Sequence, residues 1–180
     1  MASALTQAAR LYDDGIAALE AGRHAEAISA LEQALAANPG DAATLYALGE
    51  AAAQLGLHQA AVRFFQETLA VAPERHEATI RLSRALLAMM RHGDAVDALR
   101  DALARAPENA GLWLALGNAV REIGDVDNAA TFYREALRLN PDSVEALGNL
   151  ADLVFDAGDV TEATLDASIR TFIDFQRDIV

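Results

Sequence analysis

The chain has 180 residues, with 27 acidic and 14 basic side chains and a formal net charge of −13, and every one of its basic residues is arginine. A charge of this sign is repelled by phosphate backbones and anionic bilayer surfaces, which argues against nucleic-acid and membrane-surface partners. The absence of Cys removes disulfides and thiol chemistry, and no run approaches the roughly 18 apolar residues of a membrane span.

The hydrophobic fraction of 53% is carried largely by Ala, a strong helix former, and aromatics make up only 6%. That composition suits many thin, closely packed helices. One domain or one stacked array over residues 1–180 is expected from the length. The opening MASALTQAAR has no apolar segment of signal-peptide length, so a cytoplasmic location is expected. Alanine-rich, lysine-free usage is associated with bacteria of high GC content.

The four prolines, Pro39, Pro73, Pro107 and Pro141, follow one another at intervals of 34 residues. With Pro as place 32, the chain divides into units 8–41, 42–75, 76–109, 110–143 and 144–177. Place 20 is Ala in all five, as Ala27, Ala61, Ala95, Ala129 and Ala163. Place 8 is small, as Gly15, Gly49, Ser83, Gly117 and Ala151. Small residues on both sides allow two helices to approach closely, so places 8 and 20 are expected to form the crossing of each helix pair. Large apolar residues flank them at places 4, 24 and 28, among them Leu45, Trp113, Phe65, Tyr133, Leu69 and Leu137.

In chain order, the first helix is expected to be capped by Ser3 or Thr6 and to run to about Ala21, stopping at Gly22. Asp14 stands at place 7, where the later units have Leu48, Leu82, Leu116 and Leu150. A carboxylate is tolerated there because the first helix has no preceding neighbour and the group stays wet. Turns are marked at place 15 by Gly22, Gly56, Gly124 and Gly158, whereas the third unit has Met90 there and Gly93 three residues on, so its turn is expected to differ in shape. Asp41, Asn109 and Ser143 follow the proline turns as N-cap acceptors for the next helix.

His24, His58 and His92 all fall at place 17. Equivalent places in stacked units lie roughly 10 Å apart, whereas zinc ligands sit about 2 Å from the metal, so one ion cannot reach two of them. A packing role is expected, with no metal and no cofactor. No phosphate-binding glycine loop and no Ser or Thr with a His partner emerges, so the chain is not expected to be an enzyme.

These residues resemble the tetratricopeptide repeat, a helix-turn-helix unit with large–Leu–Gly–large in its first helix and Ala–large–Ala–Pro in its second. The resemblance extends over about 170 of the 180 residues. It implies an all-α solenoid, a right-handed superhelix of about five helix-turn-helix units, binding peptides or protein partners in its concave face. It also implies that places 2, 5, 9 and 12 of each first helix line that face. The face begins with Ala9, Tyr12, Ile16 and Leu19, continues through Tyr46, Glu50, Ile80 and Arg84 to Asn118 and Arg121, and ends near Asp152. Tyrosines at regular spacing suit an interface. Arg84 and Arg121 are candidates to fork onto a ligand carboxylate while Asn118 bonds its backbone amide. The bland alternative is that both arginines pair with Glu50, Glu122 or Asp152. Members that hold the acidic C-terminus of a chaperone carry Lys, Asn and basic residues at places 5 and 9; of Tyr12, Ile16, Glu50, Ile80 and Arg84 only the last fits, so that activity is not expected.

The fifth unit breaks the pattern after Ala163, with Arg170 and Thr171 at places that should be small and apolar. Apolar residues there, including Phe172, Phe175 and Ile179, fall on more than one side of a helix, which points to self-association or to a longer protein. The expected function is thus an adaptor binding a protein or peptide segment. The alternative is a regulatory or substrate-recognition segment of a larger enzyme, such as a transferase.

Overall fold

The structure is a computed structural model that describes residues 2–156. Among them it contains nine α-helices and no strands: α1 Ala2–Glu20, α2 His24–Ala37, α3 Ala42–Gln54, α4 His58–Val71, α5 His76–Ala88, α6 His92–Arg105, α7 Ala110–Glu122, α8 Val126–Leu139 and α9 Val144–Asp156. From α2 onward, first and second helices each recur at the 34-residue interval set by the prolines. The chain is an all-α solenoid of helical repeats.

The chain divides into two compact units, Met1–Ala95 and the one from Val96 on, the boundary falling within the span of α6. In the first, α1 packs on α2, α2 on α3, α3 on α4 and α4 on α5, with lesser contacts between α1 and α3 and between α3 and α5. In the second, α7 packs on α8 and α8 on α9. Ala27, Ala61, Ala95 and Ala129, the place-20 alanines of the first four units, are completely buried. Asp14 is exposed, while its counterparts Leu48, Leu82, Leu116 and Leu150 are buried, as the end-of-array argument requires.

Three local expectations change. Helix α1 already begins at Ala2, so Ser3 and Thr6 lie inside it rather than ahead of it. The Ala-rich opening carries no breaker to delay the helix. The crossing is also asymmetric in the pairs α1–α2, α3–α4 and α7–α8. A Cβ built on Gly49 would stand 2.5 Å from Phe65 Cε1, one on Gly117 2.5 Å from Tyr133 Cε1, and one on Gly15 2.6 Å from Leu31 Cγ. Place 8 therefore makes room for the large side chain at place 24, not chiefly for the small one at place 20.

The third change concerns Met90. It adopts the left-handed conformation, with φ 59°, that Gly22, Gly56 and Gly124 adopt in the other turns. The N–H of Arg91 donates to the Leu86 carbonyl at 2.9 Å, the same bond that Arg23, Leu57 and Asp125 make to Ala18, Ala52 and Val120. All four turns thus share one shape, against the expectation of a distinct third turn, because the hydrogen-bonded helix end prescribes the backbone whatever the side chain. A side chain in this region costs about 1–2 kcal/mol, and Met90 is 76% exposed, so burial offsets little of it. Met90→Gly is expected to raise stability by about 0.5–1 kcal/mol after the larger unfolded-state entropy of Gly is subtracted. A urea midpoint that is unchanged or lower would contradict this.

The caps behave as the sequence indicates. Asp41 Oδ2 accepts from Thr44 N at 2.8 Å, Asn109 Oδ1 from Leu112 N at 3.1 Å and Ser143 Oγ from Ala146 N at 3.3 Å. At the remaining junction Arg75 precedes α5 and makes no side-chain cap bond.

Candidate functional site

Tyr46 and Glu50 are one helical turn apart on α3 and therefore share a face. Across from them, Arg81 of α5 donates from Nε to Glu50 Oε1 at 2.7 Å and more distantly to the Tyr46 hydroxyl at 3.4 Å. The Tyr46 hydroxyl first, and then the Glu50 carboxylate, raise the Arg81 guanidinium above its ordinary value against the opposing effect of burial. The shorter contact, to Glu50, sets where the guanidinium sits. Both side chains of this ion pair retain substantial solvent access, so it contributes at most about 1 kcal/mol and acts mainly to orient groups.

The Tyr46 ring is held on two sides. Its centroid lies 5.7 Å from that of Phe65 in a tilted arrangement, and the Arg75 guanidinium carbon lies 4.3 Å above its face. Tyr46 is therefore half-buried structure more than open contact area, which departs from its expected part as an exposed interface ring. Beside it, Glu50, Gln54, His58, Phe65, Arg81 and Arg84 help to line a cleft of about 280 Å³ between α3, α4 and α5. Arg84 is exposed on α5, and Tyr12 is half-buried on α1.

The second unit carries a polar network. The Tyr133 hydroxyl of α8 donates to Asn118 Oδ1 at 2.8 Å, and Asn149 Nδ2 of α9 donates to the same oxygen at 2.8 Å. Asn118 Nδ2 points to Glu145 Oε1 at 3.4 Å. Burial raises the Tyr133 phenol above its ordinary value; Arg121 opposes this, while Glu145, Glu122 and Asp152 reinforce it. The phenol consequently stays protonated at neutral pH and remains a donor to Asn118. Arg121 is half-buried on α7 and Asp152 exposed on α9.

The face is thus occupied in an order that differs from the expected one. Glu50 is paired with Arg81, which stands outside the expected lining places. The oxygen of Asn118 is taken by two protein donors and one N–H of its Nδ2 is directed at Glu145, so a ligand would meet the other N–H of Nδ2. Arg84 lies in the first unit, and Asn118, Arg121 and Asp152 in the second. Phe172, Phe175 and Ile179, the expected association surface, lie outside the described residues.

Arg81 and Asn149 are absent from the expected set, yet one rule finds both. Glu50 to Arg81 and Asn118 to Asn149 are each separated by 31 residues, place 9 of one unit meeting place 6 of the next. Place 6 lies outside places 2, 5, 9 and 12, the expected lining of the face.

His24, His58 and His92 each open a second helix and are half-buried, and the Nδ1 atoms of His24 and His92 are buried without a hydrogen-bond partner. Among the described residues no group of three or more His, Cys, Asp or Glu is arranged to hold a metal ion. No helix among them is long and apolar enough to cross a membrane.

The sequence profile of the tetratricopeptide repeat matches residues 12–76, 80–144 and 124–170. Among solved structures, MamA from Desulfovibrio magneticus RS-1 (residue 41 to its end) shares the fold with a TM-score of 0.78 and 23% identity, over 96% of each chain. The thermophilic protein TTC0263 of Thermus thermophilus gives a TM-score of 0.71 and 28% identity over 84% of this chain and 83% of its own. For pilF of Pseudomonas aeruginosa the TM-score is 0.78 and the identity 19%, over 96% of this chain and 76% of that one. Among curated proteins, none matches the chain significantly.

Proposed function

Because the chain belongs to the tetratricopeptide repeat family, we propose that it is a protein-interaction scaffold whose first-helix face receives an extended segment of a partner protein, its five repeat units serving as one domain. The observation that carries this reading is the cleft beside Arg84, walled by side chains that are already fixed: Arg81 by Glu50, and Phe65 by burial. Groups held in place before a ligand arrives lose less entropy on binding.

The chemistry differs between the two units. Arg84 offers a planar donor to a ligand carboxylate or carbonyl. Asn118, with its oxygen satisfied, would donate from Nδ2 to a peptide carbonyl and not accept from a peptide N–H. Arg121 and Asp152 supply charges of both signs close by, suited to registering a segment rather than to catalysing a reaction on it.

The test is selection of peptides from a random-sequence library on the intact protein, followed by titration against Arg84→Ala. Loss of a charge-assisted hydrogen bond is expected to weaken binding about tenfold. Selected peptides that bind both proteins equally would remove Arg84 from the site, and failure to select any would count against the scaffold reading.

A further inference from the structure

Of the four junctions leading into α3, α5, α7 and α9, three carry a side chain that caps the next helix, namely Asp41, Asn109 and Ser143. The fourth carries Arg75, which makes no such bond. Its guanidinium lies over the Tyr46 ring instead, 4.3 Å from the centroid. A capping Ser, Asp or Asn stabilises a protein at least as much as a partly exposed cation–π contact does, so stability alone gives no reason for an arginine at this junction.

The contacts of Tyr46 supply a reason. Its ring leans on Phe65, and its hydroxyl accepts from Arg81, which in turn holds Glu50. Phe65, Arg81 and Glu50 all line the cleft, whereas Tyr46 and Arg75 are not part of its lining. A ring clamped by a cation on one side and by Phe65 on another has little freedom to tilt. Its hydroxyl then stays where Arg81 needs it, and the guanidinium stays between the two helices.

We infer that Arg75 is a positioning residue for the α3–α5 cleft, setting the shape of the binding surface through Tyr46 in place of capping α5. This rests on the scaffold reading of that cleft. It commits Arg75 to no contact with the partner, only to the arrangement of the residues that make contact. The planar guanidinium suits the role because it stacks on an aromatic face over its whole area, which a Lys ammonium cannot do.

The experiment uses the full chain and the tightest peptide selected on it from a random-sequence library. Arg75→Asn installs the cap that Asn109 provides one unit later, and Arg75→Lys keeps the charge without the plane. Arg75→Asn is expected to weaken the peptide about fivefold while leaving the urea midpoint unchanged or raised, and Arg75→Lys is expected to weaken it nearly as much. The ring-proton resonances of Tyr46 should shift in both variants. A residue with a merely structural role would lower the midpoint and the affinity together, or neither, and either outcome overturns the inference. Equal peptide affinity in wild type and Arg75→Asn overturns it while the scaffold reading stands. Recovery of no peptide at all removes both, and unmoved Tyr46 resonances would remove the clamp by themselves.

Discussion

Phe65→Ala is expected to lower stability by about 3–5 kcal/mol, toward the upper end of what a large-to-small core substitution costs. The ring is completely buried and is among the largest side chains so placed. It fills the space that Gly49 leaves on the facing helix, and Tyr46 leans on it from the same side. Neither neighbour can collapse into the vacancy: Gly49 has no side chain, and Tyr46 is held by Arg75 and Arg81. The cost depends on how well a cavity can relax, and this one has little means to do so. Urea denaturation followed by circular dichroism measures it. A loss within about 0.5 kcal/mol, the range of ordinary surface substitutions, would mean that Phe65 does not hold the α3–α4 pair together. The same variant removes a wall of the cleft, so its peptide affinity should fall as well.

The second large effect comes from adding a single methyl group. Gly117→Ala places a Cβ 2.5 Å from Tyr133 Cε1 and 2.6 Å from Cδ1. Two terms oppose one another. Alanine favours a helix interior by about 1 kcal/mol over glycine, whereas overpacking a well-filled core typically costs about 1–3 kcal/mol and occasionally more. The second wins here because the ring is fully buried and its hydroxyl is tied to Asn118, so it cannot retreat without breaking that bond. A net loss of about 1–2 kcal/mol is expected. Gly93→Ala is the control, since a Cβ there meets nothing within 4 Å and only the helix term remains. The same substitution should therefore have opposite signs at the two positions. Trp113, the chain's single tryptophan, stands 5.7 Å from Phe132 and reports on the second unit by fluorescence. A Gly117→Ala protein more stable than wild type would show that the ring has room to move.

The contrast between these glycines shows where reading a sequence stops. Gly15, Gly49 and Gly117 are legible as small residues at a fixed place, and a close approach of helices follows from that. Which side chain approaches them is not legible, since Leu31, Phe65 and Tyr133 come from the facing helix. Met90 shows the converse. A residue with an unfavourable propensity at a glycine position suggested an altered turn, yet the helix-end hydrogen bonds impose the same backbone on it.

By itself the sequence determined the repeat length, the alternation of first and second helices, the three turns at Gly22, Gly56 and Gly124, and three of the caps. Each of these is settled within a few residues, by a proline that cannot continue a helix, a glycine free to take positive φ, or an oxygen three residues from the N–H it accepts. Only the tertiary structure decided which polar groups of the first-helix face are engaged by other side chains of the protein. Arg81 reaches Glu50 across 31 residues of chain, Asn149 reaches Asn118 across the same interval, and Arg75 covers Tyr46. Those partnerships depend on how far each helix is rotated about its own axis against its neighbour. A periodic pattern of small and large residues fixes that rotation to a face, whereas a hydrogen bond is decided by a fraction of an ångström.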